Sequence, residues 1–411
     1  MTNKTFTFSK RQRRQHALGA LIAGLFLSSA ALAADSPDAN KLVGIPVGPL
    51  TVYPSIDVTV KHDDNIAQSN TGRISSNVTI IAPAVTLEGK SGANFFGLKY
   101  RLEDGNYSRS GNDDYTDQFA GAYASFALGV RGDLKLNADY TEQHDARGTI
   151  AGQNASYPEE YRTSGVRGAF SWGAEGAPGK IELEAGYLDK EYMTNFSGIQ
   201  QYSDRENKDA GATFYWKVMP KTQLLFQAKQ TEIDYKHVLL TNQDSTETRY
   251  YVGATWEATA LTSGTVKLGT LKKDFEAHPS YSTGSWDVGV TWSPLTYSHF
   301  NLNTNRQTNE VDSSVGDAVR SSNYALAWKH DWNSVLASNV RMGKLEEDYV
   351  LNGSVAGQRA DSSKTFGLGF DYQARRWLKL GADYSHTDRS SNLGANDFKR
   401  NVLMFTAGAS L

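Results

Sequence analysis

The side chains of this sequence that could carry chemistry do not converge on a catalytic constellation. Cysteine is absent. His62, His144, His237, His278, His299, His330 and His386 stand apart, without metal-ligand spacing and without a Gly-x-Ser-x-Gly elbow nearby. The run His62-Asp63-Asp64-Asn65 offers carboxylates to a cation but lacks the full spacing of a calcium loop. No catalytic residue, metal or cofactor is therefore expected. What recurs is charge at alternate positions: Lys99 and Arg101, Lys135 and Asp139, Glu182 and Glu184, with Arg167, Lys229, Lys267, Asp287, Lys329, Arg341, Lys379 and Asp383 in the same phase of their own segments, joined by Asp57 and Asp371. Charges of both signs with water on one side can attract a solute without trapping it. The same residues can instead pair across neighbouring strands and stiffen a wall.

The elements that must position these residues are strands. Val52 to Lys61 reads VYPSIDVTVK, with Pro54, Ile56, Val58 and Val60 on one face and Ser55, Asp57, Thr59 and Lys61 on the other, because successive strand side chains point in opposite directions. The split recurs in Phe96 to Leu102, Leu134 to Tyr140 and Ile181 to Tyr187, and it persists into the final segment, where Leu403, Phe405, Ala407, Ala409 and Leu411 share a face.

Short connections around Leu87–Gly92, Val130–Asp133, Ala174–Lys180, Met219–Lys221, Ala258–Gly264, Ser293–Leu295, Asp331–Asn333 and Ala374–Arg376 alternate with long polar ones. The long ones lie around Asp63–Ile74, Asp104–Asp114, Gln143–Glu160, Lys190–Asp204, His237–Ser245, Ala277–Thr283, Thr308–Asp317, Asp348–Ser362 and Thr387–Asn396. These joints imply an all-β fold of about 18 antiparallel strands, with 16 as the alternative count. Short turns at one end and long loops at the other are the pattern of a transmembrane β-barrel of the outer membrane with both termini in the periplasm. Trp172, Trp216, Trp256, Trp292 and Trp328 fall near strand ends that enter short turns, in phase with the apolar residues. Indoles at a common height would form a periplasmic aromatic girdle, since the ring is apolar while its N–H keeps a polar partner. Outer-membrane lipid is thus one expected partner, and closure requires the strand near Val52 to pair with the strand ending at Leu411, because an open edge in hydrocarbon leaves backbone groups unsatisfied. Gln143–Glu160 and Asp348–Ser362 are the connections long enough to fold inward and narrow the opening.

The chain begins with a leader pattern: Lys4, Lys10, Arg11, Arg13 and Arg14, the apolar run Ala17–Leu27, and Ala31-Leu32-Ala33. Residues 1–33 are read as a signal peptide, 34–50 as a short periplasmic segment and 51–411 as the barrel. Loss of five leader bases takes the formal charge from −3 to −8, which disfavours a nucleic-acid partner. The mean hydropathy of −0.50 is compatible with a barrel, whose strands need only every second side chain to suit lipid.

The opening strand and first loop, Val52-Tyr53-Pro54 through Asp57 to Lys61-His62-Asp63-Asp64-Asn65-Ile66, resembles the start of the β-barrel porin family found in exopolysaccharide and capsule gene clusters. There an early strand ends in a similar Asp-Asp-Asn followed by an apolar residue, here Asp63, Asp64, Asn65 and Ile66. The resemblance implies an outer-membrane conduit that exports a polysaccharide substrate and works with separate periplasmic export proteins. It implies no catalytic residues. The residues themselves leave two alternatives open: a general or anion-preferring diffusion porin, favoured by the slight excess of base on the inner face, and a non-transporting adhesion barrel that works through its loops.

Overall fold

The computed structural model describes residues 44–149, 156–174, 176–257, 261–311 and 315–411. The expected leader and residues 34–43 lie outside the described residues.

Period-two patterning folds into β1 (Ile45–Val47), β2 (Leu50–Asp63), β3 (Ser76–Ser91), β4 (Asn94–Tyr107), β5 (Tyr115–Leu128), β6 (Gly132–Asp145), β7 (Glu159–Trp172), β8 (Gly179–Tyr192), β9 (Arg205–Met219) and β10 (Thr222–Tyr235). They are followed by β11 (Ser245–Trp256), β12 (Thr262–Phe275), β13 (Tyr281–Leu295), β14 (Ser298–Asn309), β15 (Ala318–Asp331), β16 (Leu336–Val350), β17 (Ala360–Arg375), β18 (Leu378–Ser391) and β19 (Phe398–Ser410). Each of β2 to β19 pairs antiparallel with its neighbours in sequence, and β19 returns to β2 from Val402↔Asp63 to Ser410↔Ser55. The eighteen long strands therefore form a closed wall. Where β19 stops, the short β1 takes over the edge of β2 through Ile45↔Val52 to Val47↔Leu50, so the seam has backbone partners almost to the turn end.

The eighteen long strands run from 12 to 16 residues. At about 3.3 Å per residue they exceed the ~25 Å apolar band of a transmembrane barrel even when tilted. One parity carries exposed apolar side chains, such as Ile56, Val58 and Val60 on β2, Val166 on β7, and Leu183 on β8. The other parity carries polar residues and glycine. In a closed wall, the exposed apolar parity is the outside.

The wall is irregular between β13 and β14. Their pairing ends at Asp287↔Asn305, although β13 continues up to Tyr281 and β14 to Asn309. The β14–β15 ladder meanwhile persists to Asn309↔Val319. The tip of β14 leaves the wall and enters the barrel: the Thr308 hydroxyl donates to the Glu247 carboxylate on β11, with β12 and β13 lying between them along the wall. Apolar packing inside the barrel concentrates around this tip. Phe275 and Tyr281 pack with Ala318 and Val350, and Val311 packs with Val319 and Tyr349. Thr308–Val311 is thus an inward segment, in a shorter connection than either of the two expected to fold in. Of those two, the second loses length to β16 and β17; its remaining residues turn back through the Leu351↔Ser354 bridge, and Val355 packs against the Phe275, Tyr281, Ala318 and Val350 cluster, so this connection joins the packing around the tip. The first includes residues 150–155, outside the described residues.

Candidate functional site: the inner wall

All fourteen charged candidates sit on the parity opposite the exposed apolar side chains, and the strand registers show how they meet. Lys267 and Asp287 face each other across β12 and β13, with Nζ 2.6 Å from the carboxylate. Arg167 reaches over Gly186 of β8 to Asp209 of β9 at 3.0 Å, and Lys229 of β10 approaches the same carboxylate at 3.6 Å. Arg341 of β16 crosses β17 to Asp383 of β18. Arg101 bonds Glu103 at 2.7 Å and lies 3.5 Å from Asp57, two strands away. Lys379 pairs with Asp371, Lys329 with Asp331, and Glu182 with Lys180. Lys99 stands 4.5 Å from the Phe119 ring centre. Lys135, Asp139 and Glu184 form no ion pair among the described residues. Lys135 and Asp139 are exposed along β6, so this sector of wall faces open water.

Glycines allow these side chains to lie flat against the wall. A Cβ on Gly369 would come within 2.6 Å of both Asn339 and Asp383, and one on Gly408 within 2.5 Å of Asp57. Alternation alone does not reveal that inner glycines create room for long charged neighbours. The signal was present as glycine recurring at polar-phase positions inside strands.

A second set was missed because it depends on the inward tip of β14. The Glu310 side chain is 8% exposed and accepts from Lys273 Nζ at 2.5 Å and from the Tyr235 hydroxyl at 2.8 Å. Gln243 donates to the carbonyl oxygens of Val311 and Gly316. Burial by itself raises the Glu310 carboxyl, but the Lys273 ammonium and the Arg205 guanidinium outweigh it and hold the group below its ordinary range. A third missed set is neutral: Asn301, Asn303, Asn305, Gln307 and Asn309 occupy every inner position from Asn301 to the end of β14. Its signal was the alternation in NLNTNRQTN.

Asp63, Asp64, Asn65 and Ile66 cluster where the seam ends. The Asp63 carboxylate accepts from Arg400 Nε at 3.0 Å and from the Asn65 backbone N–H at 3.1 Å. Asp64 accepts from the Asn401 backbone N–H at 2.7 Å and from its side-chain amide at 2.6 Å. Asn65 Nδ2 donates to the carbonyls of Ser69 and Lys399, while the Ile66 N–H donates to Ile74. These residues clamp the first strand to the last. Among the described residues no group of three or more His, Cys, Asp or Glu is arranged to hold a metal ion.

The five expected girdle residues lie on the outer parity toward the turn end. Trp172, Trp216 and Trp292 are about half exposed; Trp256 and Trp328 are partly covered. Trp292, Phe300 and Trp328 form a stacked row, with centroids 5.1 and 6.0 Å apart. Trp332 in a short turn extends the aromatic band through His330, whose ring lies between it and Trp328 at 4.4 and 5.7 Å.

A closed antiparallel wall, apolar and exposed outside, polar inside and belted by indoles at the turn end, defines an outer-membrane β-barrel that crosses the membrane many times. The chain belongs to the porin family described as Putative beta-barrel porin 2, whose profile matches residues 38–410. This is a coarser assignment than the resemblance to exopolysaccharide and capsule clusters. No curated protein sequence matches the chain. Among solved structures, OccK2 (OpdF) of Pseudomonas aeruginosa is 14% identical with a TM-score of 0.50, covering 88% of this chain and 98% of its own. OpdK of the same organism, solved with vanillate, is 12% identical with a TM-score of 0.49 and coverages of 88% and 99%. The FrpB iron transporter of Neisseria meningitidis is 14% identical with a TM-score of 0.49 over 84% of this chain, which spans only 62% of FrpB's length. At these identities the OccK2 likeness is one of fold.

Proposed function

We propose that this barrel is a diffusion porin for small polar solutes, whose first 33 residues are removed on export to the outer membrane. The observation that carries the reading is the state of the inner wall. Most of its charges are compensated by neighbours in the same wall, as in Lys267–Asp287 and Arg341–Asp383, while Lys135 and Asp139 remain open to water. A compensated wall holds no deep well for an ion, which suits passage better than storage. The excess of base at the inner face then has less weight than a residue count suggests, and ion selectivity is weak. The tip of β14 narrows the passage toward the long loops.

Export of an exopolysaccharide or capsular polymer, with periplasmic export proteins supplying the polymer, is the reading implied by the early Asp-Asp-Asn resemblance. No contact of the inner wall favours it over diffusion. Planar-bilayer recording of the purified protein tests the proposal. A steady open channel in simple salt is expected. A channel that stays closed, together with loss of surface polymer in a deletion strain, would replace diffusion by export.

A further inference from the structure

The inner face of β14 differs from the rest of the wall. Asn301, Asn303, Asn305, Gln307 and Asn309 follow one another at every second position, while Leu302 and Phe300 take the outer parity, with Leu302 exposed. At two residues per step the row extends about 26 Å along the strand, comparable with the membrane band itself. Its flanks are also neutral. On β15 the facing positions are Ala327, Ala325, Asn323, Ser321 and Val319; on β13 they are Thr291 and Gly289, with Asp287 the one charge, neutralised by Lys267.

The row is only partly consumed by the protein. Asn301 accepts from Thr291, Gln307 donates to Asn309, and Asn309 donates to Ser321. Asn303 and Asn305 make no side-chain hydrogen bond among the described residues, and Asn303 is exposed while Asn305 is partly so. Gly289 stands beside Asn303: even a Cβ there would come within 3.3 Å of the amide oxygen. A structural amide ladder would be expected to bond side chain to side chain; these two instead address the water of the passage.

We infer that the β14 carboxamides form a track that binds neutral, hydroxyl-rich solutes, sugars or polyols, as they move along the wall. The inference rests on the porin reading and names its solute class. A hydroxyl both donates and accepts, and a carboxamide offers an acceptor oxygen and two donors in one plane, so each amide can exchange its water for either side of a hydroxyl. The exchange is nearly balanced in free energy, so each contact is weak and release to the next amide is easy. An ion gains little from the same surface, because it carries no net charge. At the loop end the track runs onto the inward tip, so a solute guided by it passes the point where the strand enters the barrel.

The test is block of the ionic current through the purified protein in planar bilayers by a linear neutral malto-oligosaccharide, compared with an oligouronate of equal length. The neutral chain is expected to block the wild type more tightly than the anionic one. The double variant Asn303→Ala, Asn305→Ala should weaken that block about tenfold, from two hydrogen bonds of ordinary net strength, while Leu302→Ala on the outer face retains it. An equally strong block in the double variant, or tighter block by the oligouronate in the wild type, overturns the track. Absence of any salt current in the wild type would refute the porin reading instead. Binding would then be read by calorimetric titration of the same malto-oligosaccharide into the detergent-solubilised protein, where equal affinities for wild type and double variant overturn the track.

Discussion

Replacing Glu310 by Ala should release the tip of β14 from the interior. Lys273 is fully buried and its ammonium has Glu310 as its ion-pair partner at 2.5 Å; the same carboxylate also receives the Tyr235 hydroxyl at 2.8 Å. Removing one member of a buried pair typically costs about 3–5 kcal/mol, because the remaining charge stays desolvated without compensation. The inward arrangement can avoid that cost by opening, since withdrawal of the tip lets water reach Lys273. The tip keeps its ladder to β15 in either arrangement; what opening gives up is the hydrogen bonds from Thr308 and Gln243, each worth about 1 kcal/mol or somewhat more where the acceptor is charged, and the packing of Val311 on Val319 and Tyr349, so the tip opens where the uncompensated Lys273 charge outweighs these. Single-channel conductance should rise in Glu310→Ala, and the connection after β14 should become sensitive to protease in intact vesicles. Glu310→Gln keeps an acceptor for Tyr235 but not the charge, and should fall between. The pH dependence follows the same logic. Because the folded carboxyl lies below its ordinary value, its stabilising contribution is fully present above about pH 4.3, the usual glutamate value, and is lost only as pH falls through the lower folded value. Wild-type conductance should therefore be level from neutrality down to about pH 4.5. Unchanged conductance and protease resistance in Glu310→Ala would refute the latch, as would opening of the wild type already near pH 6.

Three further outcomes are expected. Arg400→Ala leaves the buried Asp63 carboxylate without its guanidinium at the seam, so the folded form should be less stable by about 3 kcal/mol or more; heating in detergent followed by gel mobility reads this, and an unchanged transition would deny the clamp its role. Lys267→Ala frees Asp287, half exposed to the passage. Its stability cost should stay below about 1 kcal/mol, while the reversal potential in a salt gradient moves toward cations and Asp287→Asn moves it the other way; identical potentials would place this pair away from the ion path. Val166→Arg puts a charge on the outer face of β7, for which the expected cost is about 2–4 kcal/mol at mid-membrane. Denaturant titration in vesicles measures it, and a cost near zero would reverse the assignment of faces.

The barrel itself was legible in the sequence because period-two alternation and the contrast between short and long connections are local. The expected joints correspond to those between β2 and β19, and the expected partnership of the first and last strands is realised in Val402↔Asp63 to Ser410↔Ser55. What was not legible depends on distance across the barrel. Nothing local distinguishes Glu310 from the other acidic loop residues; its carboxylate becomes special only when folding brings Lys273 and Tyr235 to it from β12 and β10. Connection length alone did not single out Thr308–Val311 for the same reason, since an inward fold requires a buried partner and not merely spare chain. The Asp63-Asp64-Asn65-Ile66 run was visible as a motif, but its physical task, joining residues more than 300 positions away at the seam, could not be read before Arg400 and Asn401 were placed beside it.

The two irregularities of the wall are physically linked. Leaving β13 costs the tip of β14 its backbone partners on that side, and the loss has to be made good inside the barrel. Thr308, Glu310 and Gln243 do this with polar contacts, while Phe275 and Tyr281 cover Ala318 and Val350. Below the departure point β14 keeps both neighbours, so Asn301, Asn303 and Asn305 are held on a rigid strand. Above it, Gln307 and Asn309 keep only β15 as backbone partner, on a segment whose inward seat is secured through Glu310. One strand thus supplies a fixed lower portion of the amide row and a releasable upper portion. Opening by Glu310→Ala should consequently widen the passage while leaving Asn303 and Asn305 in place, so that salt conductance rises but malto-oligosaccharide block survives. Loss of both together would mean that the amides depend on the latch for their position, and the separation of the strand into two parts would fail.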